Sequence, residues 1–321
     1  MGTEGARIVV TGATGFVGTA LRDALAAAGR HVVAGARNPA SATKRFPRDR
    51  WVRLDFDDAA TLAPALAGAR SAFYLVHAMA APGFRQHERA HAERFAAAAD
   101  AAGLERVVYL GGVAPSGRPS EHLASRLEVG EILRAGRVPT LELRASMIVG
   151  AGSTSWQIAR DLAFRLPGMV VPKWLDTRTC PVAVDDVVAA LVAALDLPLA
   201  TSAWFDLPGP DVLTMRAVLE RVAALRGLAP PMMRVPLLTP GVSSWWLALV
   251  TRANFRVARE LVLGLTSDLV PRDGRYWELV GRTPMSFDAA ARLALVAEPS
   301  GSRLAKLEEL AVSLLGRRSR A

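Results

Sequence analysis

The segment Thr11-Gly12-Ala13-Thr14-Gly15-Phe16-Val17-Gly18 constrains this chain more than any other. It follows a short apolar run, Arg7–Val10, and opens a stretch with helical spacing, 16–28, which Gly29 stops. Three glycines between a strand and a helix have separate tasks. Gly12 permits the tight turn, Gly15 lets the backbone come close to a bound group, and Gly18 allows the helix to pack closely on the strand. The first-turn N–H groups then point outward at the positive end of the helix, where a diphosphate is stabilised. The turn predicts a dinucleotide site that includes Gly12, Thr14, Gly15, Phe16, Val17 and Gly18.

The first half of the chain continues in the same rhythm. Strand-like runs at 31–36, 51–54, 71–77, 107–110 and 141–149 alternate with helical patterns at 59–66, 84–102 and 121–135, with Asp57 or Asp58 as cap of the first of these helices. The strands are nearly continuous in apolar residues, which predicts a parallel sheet covered on both faces. The fold class is α/β: a Rossmann-like, doubly wound parallel sheet. After Gly150 the rhythm breaks. A capped helix at 185–195, a short strand at 203–207 and a helix at 214–226 with Thr214 at its N-cap precede a proline-punctuated apolar stretch, 230–250. The chain closes on an amphipathic pattern at 304–314. Six of the seven tryptophans lie beyond residue 150. The expected organisation is a dinucleotide-binding core at 1–150, to which 178–207 returns. A smaller, mostly helical, substrate-binding cap is expected from 151–177 and 208–321.

The end of the second strand reports on cofactor choice. A carboxylate there would take the ribose hydroxyls of NAD, whereas arginine accommodates the extra phosphate of NADP. The sequence after Ala36 is Arg37-Asn38-Pro39, without a carboxylate, so NADP(H) is expected in preference to NAD(H). Arg37 can pair with the 2′-phosphate and stack on adenine; in so arginine-rich a chain it can also be a solvated side chain. Asp55 is placed to accept from the adenine amine or to serve as a turn residue, with Phe56 beside it.

Composition sets the outer bounds. The net charge of +9 over 321 residues divides into +5 for 1–150 and +4 for 151–321. Nucleic-acid binders concentrate their charge on a stripe or tail, so no nucleic-acid partner is expected. Mean hydropathy is high, +0.22, yet the longest apolar run, 187–195, has nine residues, about half of the ~18 that a membrane span needs. No signal peptide is visible, and a single cysteine, Cys180, fits a reducing compartment. The expected localisation is cytoplasmic, and Cys180, before Pro181 in an apolar strand, reads as core. The apolar stretch 236–250 and the terminal amphipathic helix also allow weak peripheral membrane contact, with a packed cap lid as the other reading.

Several segments together are similar to the short-chain dehydrogenase/reductase superfamily, on its extended, atypical side of epimerase-like and NmrA-like NAD(P)H-binding proteins. They are the TGATGFVG turn, the pair Asp55-Phe56, YLVHA from Tyr74, VVYLGG from Val107, LRASMIVGAGS from Leu141 and PVAVDDVVAAL from Pro181; SEHLASRLEVGEIL from Ser120 resembles a functionally unassigned subgroup. The resemblance spans roughly residues 7–226. It implies that Val76, His77 and Gly111, at the ends of central strands, face the cofactor.

The chain departs from the superfamily at its proton donor. Tyr-x-x-x-Lys occurs nowhere among the three tyrosines, Tyr74, Tyr109 and Tyr276, and the usual serine after the fifth strand is replaced by Gly111-Gly112. In the helix that normally carries the pair stand His122 and Arg126, four residues apart and so on one face. Arg126 can hold cofactor ribose but cannot relay a proton. His122 could protonate an alkoxide, enolate or amine product, although the Arg126 charge lowers its pKa. Alternatively both residues only help to hold the cofactor.

His87-Glu88-Arg89-Ala90-His91 matches the H-E-x-x-H pattern of zinc hydrolases. Its place on a crossover helix of a dinucleotide fold, without a third histidine, argues against catalytic zinc, so no metal site is expected. The sequence therefore points to an NADP(H)-dependent oxidoreductase that transfers hydride to a small hydrophobic carbonyl, imine or conjugated substrate. The alternative is a non-catalytic NADP(H)-binding redox sensor or structural module. Oligomeric state is not encoded in any of these features.

Overall fold

The apolar runs of the first half assemble into a single seven-stranded sheet, every neighbouring pair of which is parallel. In this computed structural model residues 6–77, 83–165, 169–171, 173–234, 263–264 and 267–298 are described. The strands are β1 (Arg7–Val10), β2 (Val32–Ala36), β3 (Trp51–Arg53), β4 (Ala69–Tyr74), β5 (Arg106–Gly112) and β6 (Thr140–Ala145). Four short pieces follow outside the sheet: β7 (Ile148–Val149), β8 (Met169–Val171), β9 (Arg178–Thr179) and β10 (Val182–Ala183). The seventh strand of the sheet, β11 (Ala203–Asp206), lies beside β6, so residues beyond 200 do return to it. β9 is antiparallel to β12 (Leu213–Thr214), and β8 pairs with β13 (Met232–Arg234).

Spatial order is β3-β2-β1-β4-β5-β6-β11. The chain changes direction of winding between β1 and β4. At such a switch point the loops leaving the carboxyl ends of the two strands part and open a crevice. One face is covered by α1 (Phe16–Ala27), with α2 (Pro39–Arg45) at the outer edge. The other is covered by α3 (Leu62–Leu66), α4 (Phe84–Ala101) and α5 (Glu121–Ala135). α6 (Thr154–Arg165) leads into the C-terminal half, α7 (Val184–Ala193) joins α1 on its face, and α8 (Met215–Ala224), α9 (Arg275–Leu279) and α10 (Phe287–Ala297) follow.

The core has three parts. Val10, Leu21, Leu143 and Leu191 belong to the α1/α7 side, and Val9, Tyr74, Phe95 and Leu133 to the α4/α5 side. Trp156, Val218 and Phe287 centre a separate helical cluster built from the C-terminal half. Each such aromatic or leucine, fully buried, contributes about 1.5–3 kcal/mol. That suffices to fix α6, α8 and α10 on one another as the helical C-terminal region.

Local expectations failed where long-range contacts decide. Run 141–149 is not one strand: β6 ends at Ala145, and β7 leaves the sheet to pair with β10. Ser146 makes the break, its Oγ donating to the Cys180 carbonyl and accepting from the Cys180 N–H. Neither Asp57 nor Asp58 caps residues 59–66. That segment starts as a 3-10 turn, and Thr61 Oγ1 donates to the carbonyls of Asp55 and Asp58 instead. Helix α7 has no side-chain cap either: Ala183 stands at its N-cap, and Asp186, inside the first turn, accepts from Arg282 Nε and the Met285 N–H. Thr214 does cap α8, accepting from Ala217 N–H at 3.0 Å. Cys180 is buried, and burial pushes its thiol pKa up to about 11. The apolar stretch 236–250 and the terminal amphipathic pattern lie outside the described residues. Among the described residues no helix is long and apolar enough to cross a membrane.

Candidate functional site

A cleft of about 570 Å³ opens at the switch point, lined by the turn after β1 and the ends of β2, β3 and β4. This volume falls within the range of roughly 300–1,000 Å³ usual for ligand pockets. Gly12, at φ +62°, makes the turn. A Cβ on it would stand 2.5 Å from the Leu75 carbonyl oxygen, so the first and fourth strands approach too closely for any side chain. At Gly18 a Cβ would overlap the Gly12 carbonyl, which is the close helix–strand packing its position demands. Gly15 is the N-cap of α1, has no side chain to cap with, and no acidic residue follows in the first turn. The positive end of a twelve-residue helix thus faces the cleft uncompensated, a ready anion site. Buried Arg22 braces the turn from below: its Nε donates to the Ala13 carbonyl at 2.9 Å, and the guanidinium pairs with Asp49 and lies over the rings of Phe46 and Trp51.

Not every residue expected at the cofactor reaches the cleft. Gly12, Thr14, Gly15, Arg37, Asp55, Phe56, Val76 and His77 line it. Phe16 turns away to pack where a Cβ on Gly150 would be 2.8 Å from its Cζ, and Val17 packs against the α1-side core. Asn38 is occupied as N-cap of α2, accepting from Ser41 N–H at 3.0 Å. Arg37 is exposed, and no ion pair engages it among the described residues. Asp55, which lines the cleft, accepts from Asp57 N–H at Oδ1.

At the β4 end of the cleft lies a polar cluster that joins three elements. Arg126 on α5 donates to His77 Nε2 and to the Leu110 carbonyl, each at 2.9 Å. Accepting at Nε2, the neutral His77 ring carries its proton on Nδ1, which faces Glu88 Oε1 of α4 at 3.9 Å. Glu88 is buried and accepts from Ser125 Oγ. Desolvation, the Arg126 guanidinium and the His122 ring hold the His77 pKa well below its ordinary value. His122, one turn before Arg126, is buried with Nδ1 unpartnered among the described residues, and burial together with Arg126 lowers its pKa to about 3. Both imidazoles are therefore neutral at physiological pH, and neither is an imidazolium acid there. Glu88 and Ser125 carried no signal in the sequence beyond the rejected zinc pattern.

The glycines that replace the superfamily serine have a steric cause. Gly111 faces inward, where a Cβ would stand 2.6 Å from Glu142 Oε1, and a Cβ on Gly112 would lie 3.1 Å from Arg126 Nε. Glu142 is fully buried on β6 between Arg134 and Arg144, at 2.8 and 2.9 Å. The three tyrosines are buried as well. Tyr109 donates to the Arg126 carbonyl and Tyr276 to the Ala190 carbonyl, and burial raises the pKa of all three.

A second cluster stands at the outer wall. Asp57, after β3, meets His87 and His91 of α4, and His91 Nε2 is 2.8 Å from Asp57 Oδ1. The hydrogen bond from His91 lowers the Asp57 pKa. Glu88 is absent from this group because it faces the opposite cluster.

Known proteins agree with this architecture. Residues 12–148 match the NAD(P)H-binding family model. A ceramide reductase of Caulobacter vibrioides is 30% identical over 270 residues, 79% of this chain and 84% of that protein. A nucleoside-diphosphate-sugar epimerase from Staphylococcus aureus superposes with a TM-score of 0.72 at 15% identity, covering 89% of this chain and 99% of its own. A triphenylmethane reductase of Citrobacter, complexed with NADP(H), superposes with a TM-score of 0.71 at 16% identity, covering 90% and 99%. The structural likenesses establish the fold, and the relative at 30% identity ties the sequence to reductases. With its glycine turn, parallel sheet and missing Tyr-x-x-x-Lys pair, the chain belongs to the atypical, NAD(P)H-binding branch of the short-chain dehydrogenase/reductase superfamily.

Proposed function

We propose that the protein is an NADP(H)-dependent reductase of a hydrophobic carbonyl, imine or conjugated substrate. The observation that carries this reading is the pairing of two positive features in one cleft: the uncapped start of α1 and Arg37, which no ion pair engages among the described residues. The first suits a diphosphate and the second a 2′-phosphate. Asp55 then receives the adenine amine, and His77 and Arg126 stand towards the nicotinamide end.

When bound, NADPH supplies a hydride to the electrophilic carbon of the substrate. Arg126, fixed by the Leu110 carbonyl and His77, sets positive charge against the negative charge that develops on the substrate oxygen or nitrogen. His122, held neutral, orients groups by hydrogen bonding, and the proton that completes the product comes from solvent water at the mouth of the cleft. Glu88 and Ser125 keep the His77 ring in one tautomer.

The relative named ceramide reductase suggests a lipid-like substrate, consistent with the apolar composition of the cap. A cytoplasmic location, with peripheral membrane contact through 236–250 and the terminal helix, would give access to such a molecule. Liposome co-sedimentation tests the contact, and a protein left wholly in the supernatant refutes it. A second reading, a non-catalytic NADP(H) sensor, is favoured by the burial of all three tyrosines. NADPH oxidation on quinones, enones, imines, long-chain ketones and a ketone analogue of ceramide separates the two. Turnover with any of them supports the reductase. NADPH binding without turnover on the whole panel refutes it and leaves the sensor.

A further inference from the structure

We propose that Asp57, His87 and His91 form a binding site for a zinc-class divalent ion at the adenosine end of the cleft, and that the ion and the dinucleotide exclude one another. His87 and His91 are four residues apart on an eighteen-residue helix, so their rings leave the same face one turn apart. Asp57 arrives from the loop after β3 and supplies the third donor. One ligand atom from each of the three residues lies within 4.8 Å of the others. Tetrahedral coordination at about 2.0–2.1 Å brings donors to about 3.3 Å apart, a closure that the exposed His87 and Asp57 side chains can make by rotation. The third protein ligand thus comes from across the fold.

Two imidazoles and one carboxylate suit zinc, and three protein ligands leave a fourth position open. Hydrolytic chemistry does not follow. The glutamate of the H-E-x-x-H pattern is buried beneath His77 and bonded to Ser125, out of reach of the ion as a base. The site also lacks an outer support: His91 Nδ1 is buried without a hydrogen-bond partner among the described residues. Metal-bound histidines usually donate their second N–H, and losing such a partner weakens binding 10- to 100-fold, about one to two orders of magnitude. An exchangeable ion follows, rather than a structural one. All three ligands line the cleft that also holds Arg37 and Asp55. An ion there draws His87 and Asp57 together across the wall on which the adenosine lies, so occupancy by one denies the other.

The test is titration of zinc ion into chelator-stripped protein, followed by calorimetry or by competition with a chromogenic zinc indicator. Expected is one ion per chain, with affinity reduced at least tenfold in His87→Ala and in Asp57→Asn, and unchanged in His31→Ala. His87 and Asp57 are exposed, so their variants keep the fold, which circular dichroism checks. Absence of saturable binding near one equivalent, or binding that survives both substitutions, overturns the site. Saturating NADP⁺ should weaken zinc binding at least tenfold in the wild type, after correction for zinc held by the nucleotide in protein-free solution. Unchanged zinc affinity overturns the exclusion. NADP⁺ titration in chelator measures dinucleotide binding alone, so failure of the cofactor reading is distinguished from failure of the metal site.

Discussion

Gly12→Ala and Gly29→Ala make a matched pair for measuring what the close approach at the turn is worth. Both glycines have nearly the same left-handed backbone, φ +62° and +67°. An alanine therefore meets about the same conformational penalty at each, about 1–2 kcal/mol, partly offset by about 0.4–1 kcal/mol from restricting the unfolded chain. Nothing lies within 4 Å of a Cβ at Gly29, so that variant should lose about 1 kcal/mol in all. At Gly12 the Cβ meets the Leu75 carbonyl, oxygen at 2.5 Å and carbon at 2.7 Å, both backbone atoms just past the end of β4 that cannot rotate aside. Forced overpacking of this kind adds about 1–3 kcal/mol. The displaced turn should also lose at least one charge-assisted hydrogen bond to phosphate, about 1.5–3 kcal/mol, or roughly a 10- to 100-fold rise in the NADP⁺ dissociation constant. Urea denaturation gives the stability difference and fluorescence titration the affinity difference. Equal stability and equal NADP⁺ affinity in the two variants would refute the argument that close strand approach shapes the phosphate site.

Further expectations concern single groups. Arg37→Ala should weaken NADP⁺ roughly tenfold or more, about one charge-assisted contact, while NAD⁺ changes less than about twofold; equal losses in a titration of both would show that Arg37 does not read the 2′-phosphate. Arg126→Met removes a positive charge beside two imidazoles, so the pKa values of His77 and His122 should rise, while burial, the larger cause, still holds both below ordinary histidine values; ring-proton NMR titrations that stay put would show that burial alone lowers them. His122 stays unprotonated down to about pH 3 in the native state, while in the unfolded chain it takes up a proton near 6.5. Stability should therefore fall on acidification from about 6.5 towards 3, by up to ~1.4 kcal/mol per pH unit for this group. His122→Gln should flatten that slope in urea melts at pH 7, 6 and 5, and an unchanged slope would place the acid sensitivity elsewhere.

Periodicity made the sheet, the turn and the three core glycines legible because each depends on neighbours within a few residues. Arg37 and Asp55 were legible for a related reason: in a βαβ unit the strand ends are the cleft. The break at Ser146 was not, since nothing local distinguishes a strand that keeps its ladder from one whose next partner is Val182. The H-E-x-x-H pattern, read as without catalytic zinc, gave no sign of where Glu88 points or of Asp57 beside the histidines. Glu88 sits about 100° around the helix from His87, which turns it towards α5. Asp57 joins the histidines only because the order of strands brings the loop after β3 against α4. His122 and Arg126 were placed on one helix face by spacing, but the partners of Arg126, His77 and Leu110, come from two other strands.

The buried Glu142 also limits redesign of this corner. Returning this chain to the ordinary Tyr–Lys–Ser chemistry would need a serine at 111, a tyrosine at 122 and a lysine at 126. The serine Cβ alone collides with the Glu142 carboxylate, and so would any side chain at Gly130. Removing Glu142 first strands the Arg134 and Arg144 guanidiniums that it neutralises, a loss of about 3–5 kcal/mol for a broken buried pair. A serine at 111 clashes while Glu142 stays, and loss of Glu142 alone leaves two guanidiniums without their carboxylate, so neither change is tolerated first. A designer who wants the older chemistry back must change both strands and both helices of this corner in one step.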